Sequence, residues 1–197
     1  MRAAFRLAVL ALALATIGCA TPPQVASTTP PIEARNPLDL RRTTLIVRDM
    51  EASLAFYRDA LGMTVQYDQQ LTSPRLERAG GDGVNRSRLV LLKANDSFIG
   101  MLGLWQFETG PAQQAPAQPA FAPGEIVLLF NATDLETRYQ ATIAVPGVQE
   151  MSPPTPRSYP GQDGAPPIQV IVSMLSDPDG HIVELNRLVS GGPDRRP

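Results

Sequence analysis

Histidine and cysteine, two side chains that often do acid–base, nucleophilic or metal chemistry, occur once each in this chain of 197 residues. The sequence contains one histidine, His181, and one cysteine, Cys19. These counts exclude a multi-histidine metal site, an internal disulfide and a cysteine-rich zinc site. No Ser-His-Asp or Cys-His arrangement can be assembled from them. Any metal would therefore be held largely by carboxylates and amides.

His181 follows a strong turn signal, Asp177-Pro178-Asp179-Gly180. It lies three positions before Glu184, so on a strand the two side chains point to opposite faces. We therefore predict a histidine at the edge of a turn. The alternative is a ligand or catalytic base.

The composition and charge of the chain restrict the kinds of molecule that it is expected to bind. The chain is 43% hydrophobic and 18% charged, with a formal net charge of −2. It has no run of basic residues, which argues against a nucleic-acid surface. Its 20 prolines are about twice the average usage, which indicates linkers.

The N-terminal residues have the layout of a secretory signal. Arg2 and Arg6 precede an apolar run from Leu7 to Ile17, which is too short to span a bilayer. Ile17-Gly18-Cys19 resembles the lipobox of bacterial lipoproteins. The resemblance implies a signal peptide over 1–18, acylation of Cys19 and a flexible tether over 19–38. The alternative is an ordinary signal cleaved near Ala20.

The lipoprotein resemblance also implies a location in the cell envelope. Ala20 lacks the aspartate that retains such proteins in the inner membrane. We therefore expect anchoring in the outer membrane, facing the periplasm.

Two further proline-rich stretches divide the rest of the chain. The segment 110–124 reads as a linker, and the segment from Ser152 to Pro167 reads as a long loop. The tail 191–197 is predicted to be disordered.

The two halves on either side of the linker share a pattern. Thr43–Val47 is a predicted strand that leads to a helix running from Asp49, as N-cap, to Gly62. Val127–Phe130 leads in the same way to Asp134 and Gly147. Both aspartate-to-glycine spacings are thirteen. This match indicates an internal duplication.

Three short strands are predicted after each helix. In the first half they cover Met63–Gln69, Arg88–Lys93 and Phe98–Phe107, the last two joined by a turn at Asn95-Asp96. In the second half they cover Gly147–Met151, Ile168–Leu175 and His181–Leu188. The predicted modules, 39–109 and 125–190, therefore each have the order β-α-β-β-β.

This order and its motifs resemble the vicinal oxygen chelate superfamily, also called glyoxalase/bleomycin resistance/dioxygenase. The motifs are Val47-Arg48-Asp49, Phe56-Tyr57, Leu61-Gly62-Met63 and the segment from Asp177 to Leu185. The resemblance implies an α+β fold in which two tandem β-α-β-β-β modules pair into an open-sided sheet cup. Members include enzymes and metal-free binding proteins, so the fold does not settle the chemistry.

In enzymes of the family, four strands each supply one ligand to a divalent metal. The resemblance puts the first and third ligands at Arg42 and Val127, and neither side chain can donate a lone pair. The strand that should carry the second has no His, Glu or Asp from Ser97 to Phe107, and only Gln106 or Glu108 at its end. Glu184 alone matches, as the fourth ligand. A bulged strand would make Glu125 an alternative third ligand.

One carboxylate does not make a site for a divalent ion, so we expect no cofactor, with a divalent metal as the alternative. Alternation from these positions assigns the residues that face the cup and form the predicted pocket. They are Arg42, Thr44, Ile46, Val127, Leu129, Asn131, Ile182, Glu184 and Asn186.

Arg42 and Glu184 admit several hypotheses. They form an ion pair in place of the metal, or Arg42 binds an anionic ligand that Glu184 orients. Alternatively, Arg42 points into solvent. The aromatic residues Tyr57, Trp105 and Phe107 are expected in the core or an interface. The glycine-rich segment 79–83 is expected to be a surface loop or a lid over the cup.

We predict a lipid-anchored periplasmic protein that binds a small, partly apolar molecule without the usual metal. The alternatives are a metal-dependent lyase or dioxygenase with a non-standard site, and an envelope interaction module without a ligand. A homodimer is possible, but it would bring only further copies of Arg42, Val127 and Glu184.

Overall fold

The computed structural model describes residues 38–73, 85–107 and 121–192. The chain divides into two units, Met1–Pro37 and Leu38–Pro197, and the description below concerns the second. The predicted signal peptide, Cys19 and the tether up to residue 37 lie outside the described residues, as do Glu108, the 79–83 loop, most of the linker and residues 193–197. No helix in the described ranges is long and apolar enough to cross a membrane.

The described residues form two modules with the same order of elements. The first contains β1 (Arg42–Val47), α1 (Met50–Leu54), β2 (Thr64–Ser73), β3 (Asn85–Lys93) and β4 (Met101–Phe107). The second contains β5 (Val127–Asn131), α2 (Leu135–Ile143), β6 (Gln149–Tyr159), β7 (Ile168–Ser176) and β8 (Ile182–Ser190).

Each module forms one four-stranded sheet, and the two sheets have equivalent topologies. The strand orders are β1-β4-β3-β2 and β5-β8-β7-β6. In each sheet the first strand pairs in parallel with the last strand of its module, and the other pairs are antiparallel. The predicted α+β fold and its duplicated sheets are confirmed. Strands β1 and β5 are both edge strands.

The first helix starts as predicted but changes its geometry. Asp49 is the N-cap, and its carboxylate accepts hydrogen bonds from the amides of Glu51 and Ala52. The α-helix ends at Leu54 and a π-helical turn, Ala55–Ala60, follows it. Gly62 then adopts a φ of 74°, a left-handed conformation that suits glycine. The predicted single helix from Asp49 to Gly62 is therefore part α and part π.

Both modules contribute to one hydrophobic core. The Tyr57 ring, fully buried in the π-helical turn, lies edge-on to Phe56 at 4.9 Å and 6.4 Å from the ring of Phe130 in β5. The core also contains Leu135 and Tyr139 of α2. The modules therefore pack against each other through their helices and the helix-facing sides of their sheets.

The predicted loop from Ser152 to Pro167 is wrong in its first half. Strand β6 extends to Tyr159 and includes Pro153, Pro154 and Pro156. β6 is an edge strand, and proline is tolerated there because the missing N–H need not pair with a neighbour. The β6–β7 register shifts between Glu150 and Thr155, which accommodates these prolines.

The other strand boundaries differ by a few residues. β2 extends to Ser73 and β3 begins at Asn85, so the β2–β3 hairpin is longer than predicted. β4 begins at Met101 rather than at Phe98. The Asp96 carboxylate accepts hydrogen bonds from the amides of Phe98 and Ile99, and this turn delays the strand.

Candidate functional site

The first sheet presents part of the predicted pocket on the face opposite its helix. Leu45 and Val47 are buried in the core, so alternation points Arg42, Thr44 and Ile46 away from it. The parallel register sets these three residues beside Met101, Gly103 and Trp105 of β4. The predicted residues of β1 therefore share one face of the sheet.

The second sheet repeats this arrangement. The register sets Val127, Leu129 and Asn131 of β5 beside Ile182, Glu184 and Asn186 of β8. Val127 is 40% exposed and Leu129 is 58% exposed, although both are aliphatic, whereas Ile182 is buried. This face thus combines three aliphatic side chains with two amides and one carboxylate.

Glu184 and Arg42 do not meet. The Glu184 carboxylate accepts a hydrogen bond of 3.0 Å from the side-chain amide of Asn186. In the part of the chain that the structure describes, Arg42 forms no ion pair. The hypothesis of an Arg42–Glu184 ion pair is therefore wrong.

The position equivalent to Glu184 in the first module is a glycine. Thr44 pairs with Gly103 in the first sheet as Leu129 pairs with Glu184 in the second. A Cβ on Gly103 would lie 2.8 Å from the Thr44 hydroxyl oxygen. The position thus offers no donor, and Thr44 occupies the space that a larger side chain would need.

The side chains at the four ligand positions do not fit a divalent metal. They are Arg42, Gly103, Val127 and Glu184, which together offer one carboxylate. Within the described ranges, no group of three or more His, Cys, Asp and Glu side chains is placed to hold a metal ion.

Of the three substitute ligands considered from sequence, Glu108 lies outside the described residues, and the other two are unsuitable. The Gln106 side chain accepts a hydrogen bond from the Met50 amide and donates one to the Arg48 carbonyl, so it faces the helix. Glu125 precedes β5, and the β5–β8 register has no bulge that would bring it into the strand.

A groove lies between the two edge strands. Its volume is about 360 Å³, within the range of about 300–1,000 Å³ typical of small-molecule sites. The predicted pocket residues Arg42, Val127 and Leu129 line it, together with Leu40 and Ile126. The remaining lining is Thr43, Gly100, Met101, Leu102, Leu128 and Phe130. Sequence reasoning missed Leu40 and Ile126, because both precede their strands.

A second cavity of about 330 Å³ lies where α2 begins. Its polar lining includes Asn95, Thr133, Asp134 and Arg138. The Arg138 guanidinium donates to the Asp134 carboxylate and to the Leu61 carbonyl. Its cation is therefore already engaged, and no free charged group remains among the described residues that line this cavity.

A buried network around Asp177 was not expected from the sequence. Its carboxylate accepts hydrogen bonds from the Tyr57 hydroxyl at 2.9 Å and from the amides of Asp179 and His181. The His181 Nδ1 lies 3.0 Å from the same carboxylate. As predicted, His181 lies at the turn. It contacts Asp177, which accepts a hydrogen bond from Tyr57 of the first module, so His181 lies at the junction of the two modules.

The same network shifts two pKa values. Burial of the Tyr57 hydroxyl, together with the Asp177 charge, raises the pKa of Tyr57 well above its usual value. Burial of the imidazole lowers the pKa of His181, but the hydrogen bond and charge of Asp177, with Asp179 and Glu125, raise it to above its usual value.

Trp105 and Phe107 form a tilted ring pair on β4. Their centroids are 4.8 Å apart at an interplanar angle of 32°, and both side chains are half-buried. Within the described residues, the buried indole nitrogen of Trp105 has no hydrogen-bond partner. Tyr57 lies in the core, as predicted, whereas this pair lies on the face that carries Ile46.

Comparisons with known structures agree with this architecture. The glyoxalase family protein from Bacillus cereus superposes with a TM-score of 0.59 at 14% identity, over 80% of this chain and 99% of that one. A glyoxalase I mutant from Zea mays gives 0.51 at 20% identity, over 75% of this chain and 46% of that one. At these identities the likeness concerns the fold alone.

No curated protein matches the chain. The sequence profile of one family does match, over residues 39–185, which cover both modules. The chain therefore belongs to the Glyoxalase/Bleomycin resistance protein/Dioxygenase superfamily.

Proposed function

We propose that the chain binds a small, partly apolar molecule in the cup, without the divalent metal of the family's enzymes. The observation that carries the proposal is the groove between β1 and β5, where the aliphatic side chains of Val127 and Leu129 are exposed. Ligand binding in a concave apolar site is favourable because it removes exposed apolar surface from water. The donor set at the four ligand positions favours binding over metal-dependent turnover.

Nile red, a neutral apolar dye, tests for a binding site. We expect its fluorescence to rise when the full chain carrying Cys19→Ser is added. Leu129→Asp should abolish most of this rise, because it puts a charge into the groove. Val189→Asp is the matched control, since Val189 is 57% exposed and lies outside the groove lining. Equal loss in both variants, or no rise at all, would contradict the proposal.

Metal analysis tests the alternative of a metal-dependent lyase or dioxygenase. We expect no stoichiometric divalent ion in the purified protein. A stoichiometric ion that is lost in Glu184→Ala would overturn the proposal in favour of an enzyme with a non-standard site, because Glu184 is the one carboxylate at the four positions.

We also propose that the protein is anchored in the cell envelope through acylated Cys19, facing the periplasm. The supporting observation is the order of Arg2 and Arg6, the apolar run to Ile17 and Cys19. Labelling with a radioactive fatty acid should mark the protein, and Cys19→Ser should remove the label. A labelled Cys19→Ser variant would contradict the anchor.

A further inference from the structure

In the part of the chain that the structure describes, the groove between β1 and β5 has one charged side chain among otherwise uncharged residues. Leu40 and Arg42 line it from the first module, and Ile126, Val127 and Leu129 line it from the second. Among the described residues that line it, none is acidic. An occupant would thus meet apolar surface along the groove and a cation at one place.

Arg42 is available to such an occupant. Most arginines in the described ranges already have a partner: Arg48, Arg58, Arg88, Arg138 and Arg187 pair with carboxylates. The neighbouring Arg41 lies over the Phe98 ring at 3.8 Å. Arg42 makes no ion pair within the described residues, and Glu184 is hydrogen-bonded to Asn186 outside the groove lining.

A ligand that covered the groove would remove Arg42 from water. Desolvating an unpaired guanidinium is unfavourable, so the ligand should supply the missing anion. A guanidinium binds carboxylate and phosphate oxygens through charge-assisted hydrogen bonds. The apolar lining in turn selects a hydrocarbon body.

We propose that the ligand is a single-chain amphiphile, with an anionic head on Arg42 and an apolar chain along Leu40, Ile126, Val127 and Leu129. This inference rests on the proposed function and names the class of ligand for the same groove. The head is a carboxylate or a phosphate, since both match the guanidinium.

Calorimetric titration of the full chain carrying Cys19→Ser tests the proposal. The four probes share a ten-carbon chain: decanoate, decyl phosphate, 1-decanol and decyltrimethylammonium. We expect both anions to bind more tightly than the alcohol, and the cation to bind most weakly. The stronger of the two anions identifies the head group.

Arg42→Gln should weaken decanoate binding about tenfold and leave 1-decanol unchanged, because it removes one charge-assisted hydrogen-bonding partner. Arg41→Gln is the matched control: it removes the adjacent cation, which does not line the groove, and should leave both affinities unchanged.

Three outcomes would overturn the inference: equal binding of decanoate and 1-decanol, no effect of Arg42→Gln, or equal loss in Arg41→Gln. If no amphiphile binds but Nile red still requires Leu129, the amphiphile class is wrong and the proposed function stands. If Nile red also fails to bind, the proposed function itself is wrong.

Discussion

His181 acts at the junction of the modules. Its Nδ1 contacts the Asp177 carboxylate, which also accepts a hydrogen bond from Tyr57 of the other module. The charged groups that act on the imidazole are Asp177, Asp179 and Glu125, all acidic. A protonated His181 is therefore stabilised in the folded protein, although burial opposes it.

The resulting pH dependence has a definite sign. The pKa of His181 is raised in the folded state above its usual value of 6.5, so the folded protein holds this proton more tightly than the unfolded chain. The associated stability is fully present below pH 6.5 and is lost as the pH rises through the folded-state pKa. We expect the urea midpoint to fall as the pH rises through this window.

His181→Gln is the control for this titration. The glutamine can still donate a hydrogen bond towards Asp177 but does not titrate, so the fall should disappear against the wild-type curve. The same slope in His181→Gln and wild type would show that other groups cause it. Tyr57 does not interfere, because burial beside Asp177 raises its pKa well above 10.

At the scale of elements, the end of the first helix touches the second module. Gly62 adopts a φ of 74°, and a Cβ there would lie 2.5 Å from the Arg138 guanidinium of α2. This guanidinium is held by the Asp134 carboxylate and the Leu61 carbonyl. A side chain at Gly62 therefore disturbs both the local backbone and a contact between modules.

Gly62→Ala should destabilise the protein more than Gly100→Ala. Both residues have a left-handed φ, which costs a non-glycine residue about 1–2 kcal/mol. Gly100 has open space around its Cβ position, whereas Gly62→Ala must also displace Arg138, at a further cost of about 1 kcal/mol. Urea unfolding measures the difference. In an Arg138→Ala background the excess should vanish, and its persistence would contradict this explanation.

The elements were predictable where local chemistry decides them. Asp49 as N-cap and Gly62 at the helix end are short-range signals that the structure retains, whereas α2 ends at Ile143, before Gly147. The part of β6 from Ser152 to Tyr159 was missed because its tolerance of prolines depends on the edge position of the strand, which only the complete sheet order reveals. The π-helical turn was not predicted; it buries Phe56 and Tyr57, and the Tyr57 hydroxyl donates to Asp177 of the second module.

At the scale of the whole molecule, the candidate site was likewise predictable where local geometry decides it and not where the complete fold does. Alternation along β1, β5 and β8 predicted which residues share a face, because side-chain direction in a strand is a local property. The groove also depends on the approach of two edge strands from different modules, so Leu40 and Ile126 were not found. The equivalence of Gly103 and Glu184 needed the register of both sheets.

The two modules share buried contacts that isolated modules would lack. The Arg48 guanidinium forms a 2.7 Å ion pair with Asp179 of the second module, whose side chain is 6% exposed. The same Arg48 guanidinium also donates a hydrogen bond to the Pro178 carbonyl. Ser53 of α1 also donates to Asp179. Separating the modules would break this cluster and open the common core.

We therefore expect the modules to unfold together. Trp105, the single tryptophan, reports on the first module by fluorescence, whereas far-UV circular dichroism reports on both sheets. Their urea midpoints should coincide, because the core is continuous across the junction. Arg48→Ala should lower both midpoints equally. The free energy of unfolding should fall by about 1.5–3 kcal/mol, since the variant deprives a buried carboxylate of its cation.

Arg58→Ala is the matched control. Arg58 pairs with Asp59 on the surface of its own module, where such a pair contributes less than about 1 kcal/mol. A midpoint for Trp105 that separates from the circular dichroism midpoint would show that the modules are independent folding units. An equal effect of Arg48→Ala and Arg58→Ala would show that the junction gains no particular stability from the Arg48–Asp179 pair. A shared midpoint with a larger Arg48 effect requires that the junction, and with it the groove between β1 and β5, forms in the same step as the sheets.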